Sequence, residues 1–306
     1  MWGRQDSNNA LLREGDTLCC AAMGTPWDRA AAKYLEEWVP RFVPYHLDLV
    51  RELVVAQGHR VLVVSAGPGA EVLAVARAVG DRGHVRATDR SQELVDICRE
   101  QVRRAGFGSV VCERAEPTDI GDGEWSAIVC AFGLWPMEDR ASVLRAWASA
   151  LAPSGKVGVL TFGPPSDDNP FEMLSRALRD LEPGAAHRPT RIDCEREAMS
   201  RMFEESGLVL VRHTVLRHVI SFPTAEAFVE AIREGRTWGR VWDELGPERM
   251  ARVTARFFDQ VGGPTEPLTF EPAVTLALAA LPGAEVELMS RPSVTAPSLS
   301  SPPPKP

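Results

Sequence analysis

Short apolar runs alternate with amphipathic stretches through the first half of the chain, and the alternation sets the expected order of elements. The runs Arg60–Val64, His84–Thr88, Ser109–Glu113, Ala127–Ala131 and Lys156–Phe162 have the length and β-branched content of buried strands. Between them, Ala70–Val79, Glu93–Ala105 and Asp139–Leu151 carry apolar residues at helical spacing. A helical region precedes the first strand, from about Trp27 to Val55, and Pro40 and Pro44 are expected to break it. Strands alternating with helices pair in parallel through right-handed crossovers, so the fold class is α/β with a doubly wound sheet.

Beyond Gly163 the rhythm changes. A loop rich in Pro and Asp leads to a helix at about Asp193–Ser206 and a long strand, Leu208–Ile220. Helices near Thr224–Arg233 and Pro247–Gln260 then separate this strand from a last one, Leu268–Leu281. The stretch 222–262 therefore reads as an insert between the last two strands. Six aromatic residues fall in it (Phe222, Phe228, Trp238, Trp242, Phe257 and Phe258). Such rings serve equally to line a pocket under a lid and to pack the insert onto the body.

Composition narrows the function classes. Lys and Arg number 34 against 42 Asp and Glu, a formal charge of -8, and no stretch interleaves basic and aromatic residues as a nucleic-acid groove would. No window approaches the roughly 18 apolar residues of a membrane span. The six cysteines show neither CxxC pairs nor metal-ligand spacing, so no metal is expected and a reducing cytoplasm fits. Residues 1–24 read as an irregular segment, 25–288 as the folded domain and 289–306 as a Pro/Ser-rich disordered tail. The expected partner is a small-molecule substrate, without nucleic acid or membrane, and a homodimer is left open.

Candidate chemistry begins where the first strand ends. In Ser65–Gly69 (SAGPG), Gly67 and Gly69 let backbone approach a ligand, and the following helix points unpaired N–H groups at it. Asp89 ends the second strand about 20 residues on, where a carboxylate accepts from a ribose diol. The alternative for Asp89 is a helix cap, a task for which Ser91 is equally suited. A dinucleotide fingerprint would place a third glycine at Val72, which disfavours an NAD enzyme.

RVLVVSAGPGAE, HVRATDRSQELVDICRE, RAEPTDIGDGEWSAIVCAFGLW and LRAWASALAPSGKVGVLTFGPP together resemble the motifs of class I S-adenosylmethionine (SAM)-dependent methyltransferases. The branch is that of ubiquinone/menaquinone-biosynthesis and other small-molecule enzymes. The resemblance runs from about Trp27 to Leu281. It implies a Rossmann-like, mostly parallel seven-stranded sheet with a helical lid insertion, and SAM as cofactor. By the same resemblance Asp89 would bind the ribose, Ser65, Gly67 and Gly69 would form the methionine turn, and Arg90 and Ser91 would flank the adenine. Ala115 and Glu116 would sit at the adenine edge, with Ala131 and Phe132 under the sulfonium. The first motif is degenerate: the family has an acid at Val63 and a glycine at Ser65, and further acids at Arg114 and Ser126.

Methyl transfer from a sulfonium is an in-line displacement that needs orientation and a water-poor pocket more than a catalytic side chain. Tyr34, Trp38, Phe42 and Tyr45 follow 4, 4, 3 spacing and share one face if the prolines kink the helix rather than end it. That face is either core or pocket wall. With Trp135 and Trp238, the residues Tyr34, Trp38 and Tyr45 are the candidate substrate pocket. His218, near the carboxyl end of its strand, is the candidate catalytic base for a hydroxyl acceptor. The expected function is methyl transfer to a hydrophobic or aromatic small molecule. The alternative is a methyltransferase fold that does not methylate, as a cyclase-type natural-product enzyme or a non-catalytic partner subunit.

Overall fold

The computed structural model describes residues 26–186 and 193–284. The segments expected to be irregular at either end lie outside them. Five parallel strands form one side of the sheet: β1 (Arg60–Val64), β2 (His84–Asp89), β3 (Val110–Arg114), β4 (Trp125–Ala131) and β5 (Leu151–Phe162). The chain continues through β6 (Val209–Arg217), a short ribbon of β7 (Ile220–Phe222) and β8 (Leu268–Phe270), and β9 (Ala273–Ala280). Sheet order is β3-β2-β1-β4-β5-β9-β6, with β9 antiparallel to both neighbours. The expected seven-stranded, mostly parallel, doubly wound sheet is what forms. Order reverses between β1 and β4, and ligands of such sheets gather outside the carboxyl ends at that point.

The helices form where the periodicity placed them. In α3 (Ala70–Val79), Val72, Val75, Ala76 and Val79 are fully buried at i, i+3, i+4, i+7, each valine contributing roughly 1.5 to 3 kcal/mol by leaving water. In α4 (Gln92–Ala105) the Ser91 hydroxyl caps the helix, accepting from Leu94 N–H at 3.2 Å, so Asp89 is released from that task. α5 (Arg140–Ser149) covers the other face through Val143, Leu144 and Trp147.

Two expectations are corrected at the prolines. Rather than breaking near Pro40 and Pro44, the first region runs on as α1 (Pro26–Lys33), a π-helical turn (Tyr34–Trp38) and α2 (Val39–Glu52). The π turn, with Val39 N–H bonded to Tyr34 O, shifts the hydrogen-bond register just before Pro40, which then sits at the start of α2 where its missing N–H costs little. Pro44 stays inside α2. The stretch after Gly163, expected as loop, contains α6 (Pro170–Leu181), capped by Asn169, whose side chain accepts from Phe171 N–H. Helix α7 (Arg196–Glu204) precedes β6.

The insert holds α8 (Ala225–Arg233) and α9 (Arg236–Val261), the latter kinked at Gly246 ahead of Pro247, so helix begins well before the expected Pro247. Its rings divide the two uses proposed for them. Phe222, Phe228 and Phe257 are buried in the same core as Trp38 and Phe171, whereas Trp238 faces the cavity described below. Trp38 ties body to insert: its Nε1 donates to Ala231 O at 3.1 Å, and its ring lies 5.6 Å from Phe222 and 5.5 Å from Phe171. Glu182 at the end of α6 is bound by Arg249 and Arg252 of α9, and the Arg249 guanidinium holds its carboxyl below the ordinary carboxylate range.

Candidate active site

The turn after β1 is built on left-handed backbone. Gly67 and Gly69 have φ of +53° and +95°, and Ser65, where the resemblance has glycine, is forced to +55°. A non-glycine residue there carries strain, roughly 1 kcal/mol or more. The end of β4 closes on the same turn: a Cβ on Gly133 would fall 2.4 Å from Ser65 Cβ, so only glycine lets the two strand ends meet. Phe132, beside it, also has positive φ, +57°. Strained residues concentrated at one spot of an otherwise regular sheet mark it as a site.

Asp89 stitches this turn to the next. Its Oδ2 accepts from Gly67 N–H at 3.0 Å and its Oδ1 from Ser91 N–H at 2.9 Å. Burial pushes its carboxyl above the ordinary range, while those two N–H bonds pull it back. An ionised carboxylate offers about four acceptor positions. Two are used by the backbone, and two remain for a ligand diol.

A cavity of about 420 Å³ opens from this point, within the range of small-molecule sites. Ser65, Gly67, Asp89, Arg90, Ala131 and Phe132 line it. So do Tyr34, Trp38, Phe42, Trp135 and Trp238. The aromatic wall continues inward, Phe42 lying 4.9 Å and Phe162 5.3 Å from Phe132. Burial, reinforced by the charges of Glu71 and Asp89, pushes the Tyr34 phenol up. The cavity also takes in Phe162, Asn169, Phe171, Glu172 and Ser175, which sequence reasoning missed. All but Phe162 come with α6, and the signal was present: an Asn-Pro start followed by Phe171, Leu174, Leu178 and Leu181 at helical spacing.

Other expected site residues lie elsewhere. Gly69 does not line the cavity; a Cβ there would meet Cys98 Sγ at 2.8 Å, so its task is close packing of the turn on α4. Ala115 and Glu116 also stay outside the lining. They approach indirectly, Ala115 N–H bonding Asp89 O at 3.1 Å and Glu116 pairing with Arg90 at 3.2 Å on the surface.

Tyr45 and His218 are not in the cavity wall either. Tyr45 is fully buried, donating to Pro272 O at 2.7 Å and accepting from His218 N–H at 2.9 Å. His218 Nε2 lies 2.7 Å from Asp48 Oδ2. The histidine is engaged in a clamp between α2 and the end of β6, outside the lining of this cavity. Its position near a strand end is right for a site, but the side chain turns back to the helix.

The four departures from the resembled motif separate by position. Val63 is fully buried between Ala87 and Val129 of the neighbouring strands. Ser65 is at the site. Arg114 braces it from outside, donating from Nε to Arg90 O at 3.0 Å. Ser126 accepts from Arg60 N–H at 3.3 Å, where β1 begins and so at the opposite edge of the sheet from the cavity.

Residues 61–155 match the family model of a methyltransferase domain. Among curated proteins the chain is similar to the ubiquinone/menaquinone biosynthesis C-methyltransferase UbiE of Shewanella sediminis, 32% identical over 127 residues, covering 40% of this chain and 49% of the relative. The chain thus spans about half the length of the curated relatives it matches. Among solved structures it is similar to the YcgJ protein of Bacillus subtilis (17% identical, TM-score 0.54, covering 78% of this chain and 100% of that one). It is similar also to the [4+2]-cyclase SpnF (17% identical, TM-score 0.52, covering 80% and 84%). At such identities the structural likeness shows the fold alone.

Proposed function

We propose, from the match of residues 61–155 to a methyltransferase domain and from the fold, that the chain is a class I SAM-dependent methyltransferase that transfers the SAM methyl group to a hydrophobic or aromatic small molecule. The observation that carries this reading is that one cavity is lined both by Gly67 and Asp89 and by Trp38, Trp135 and Trp238. SAM fits this lining by chemistry: Asp89 has two acceptor positions for the ribose hydroxyls, and Gly67 leaves room beside backbone. Phe132 and Tyr34 line the same cavity, where an aromatic face toward a sulfonium would add an attraction of roughly 0.5 to 2 kcal/mol.

The chain's own residues would act by placement. Trp38, Phe171 and Trp238 exclude water and hold an apolar acceptor, Ser65 and Gly67 hold the cofactor, and alignment of the two contributes up to roughly 7 to 11 kcal/mol. With His218 engaged by Asp48, the reading assigns no histidine base, which suits an acceptor that ionises readily or attacks through carbon or a neutral amine. The sequence relatives do not favour the non-methylating alternative. Calorimetric titration of the full chain with SAM and with S-adenosylhomocysteine tests the reading. Saturable one-site binding that Asp89→Ala removes supports it, and no binding of either at millimolar concentration refutes it.

A further inference from the structure

Three carboxylates are buried among the described residues, Asp48, Glu71 and Glu182. Two are answered by permanent cations: Asp48 pairs with Arg51 as well as His218, and Glu182 with Arg249 and Arg252. Glu71 is different. It sits 2% exposed in the first turn of α3, directly after the glycine turn, and its only ion-pair partner among the described residues is His46 of α2, whose Nδ1 lies 3.0 Å from Oε2. The contact lacks hydrogen-bond alignment, since His46 Nδ1, itself buried, has no hydrogen-bond partner. A buried carboxylate facing only an imidazole is costly to the fold, and such a group next to a cleft marks a functional arrangement.

The cleft it serves is the one described above. The His46 ring packs 5.9 Å from Phe132, which lines the cavity. The negative charge of Glu71 reaches two further lining groups, helping to push up both the Tyr34 phenol and the Asp89 carboxyl. Glu71 therefore lies behind the wall beside Phe132 and Asp89, where it has no permanent cation among the described residues and a cationic ligand would supply one. Charges in low-dielectric surroundings act over such separations without direct contact.

We propose that Glu71, set against His46, is the positioning residue that makes this site prefer the positively charged sulfonium of SAM over the neutral thioether of S-adenosylhomocysteine. The inference rests on the reading that the cavity takes SAM. Its consequence is directional: the cofactor enters with its charge answered, and on losing the methyl group it loses that attraction and leaves.

Calorimetric titration of the natural chain, Glu71→Gln and His46→Gln with each of the two ligands tests this. In Glu71→Gln the ratio of the two dissociation constants should move toward S-adenosylhomocysteine by roughly tenfold, with affinity for the thioether itself held within about threefold. A residue that only tied α2 to α3 would weaken both ligands by one factor, and that result overturns the proposal. His46→Gln keeps the carboxylate, so the preference for SAM should persist or widen; its loss overturns the proposal even if Glu71→Gln does not fold. A natural chain that binds both ligands equally overturns it too. A natural chain that binds neither defeats the cofactor reading itself, a result distinguishable from the others.

Discussion

Replacing Asp89 by alanine removes two things that the structure separates. Toward a ligand it deletes the two acceptor positions left after Gly67 and Ser91 N–H are satisfied. At roughly 1.5 to 3 kcal/mol for each charge-assisted bond, affinity for SAM should fall by about 3 kcal/mol, which is about two orders of magnitude in dissociation constant. Toward the fold it strands two backbone N–H groups, but it also removes a carboxyl that burial already pushes up. These oppose, so the net stability change should stay near about 1 kcal/mol, a few degrees in melting temperature. Titration calorimetry and thermal unfolding on the same samples read both numbers. Ribose bonds favour the ionised form, and the free site's carboxyl is raised, so affinity should be full above that raised value and lost as pH falls through it. In Asp89→Asn this pH dependence should vanish. A dissociation constant unchanged in Asp89→Ala at near-native melting temperature would refute the reasoning.

Gly67→Ala and Gly69→Ala should part company, since a Cβ on Gly67 meets nothing within 4 Å whereas one on Gly69 meets Cys98 Sγ at 2.8 Å. The first should cost SAM affinity more than stability and the second the reverse, read by the same two assays; parallel losses would count against the assignment of Gly67 to the cavity. Ser65→Gly should raise stability by about 1 kcal/mol by relieving a φ of +55°, while Val63→Asp should lower it by several, because it buries a carboxylate without partners. Urea unfolding measures both, and a stable Val63→Asp would show a partner for that carboxylate. Trp38→Ala should cost roughly 3 to 5 kcal/mol, since it opens the contacts among Phe42, Phe171 and Phe222 that hold the insert. A loss below about 1 kcal/mol in chemical denaturation would mean that the insert is held by something else.

The sequence spoke clearly where one physical demand fixed the residues. Buried parallel strands must be apolar throughout, so Arg60–Val64 and Ala127–Ala131 were readable, and a glycine turn ending on a carboxylate such as Asp89 has few other uses. It was ambiguous where one pattern serves two demands. Tyr34, Trp38, Phe42 and Tyr45 share a helical face, yet the first three line the cavity and Tyr45 is sealed in a clamp with Pro272 and His218. Which way a side chain at the rim turns depends on tertiary packing that no local spacing records. His218 shows the same limit, as its partner Asp48 is distant in sequence. Helix α6 was hidden for a different reason, because Pro and Asp before Asn169 dominated the reading of the segment and masked the apolar period after it. Pro40 misled because after the π turn it falls at the start of α2, where a missing N–H costs little, while Pro44 stands inside the helix.

The central claim is that one cavity brings SAM to an apolar acceptor for methyl transfer. Its most direct test incubates the natural chain and Asp89→Ala with SAM carrying a labelled methyl group and with extracts of hydrophobic and aromatic small molecules, and follows label into organic-soluble product. The account predicts label transfer by the natural chain and little by the variant at the same SAM concentration. No transfer by the natural chain at saturating SAM, across acceptors, would contradict it.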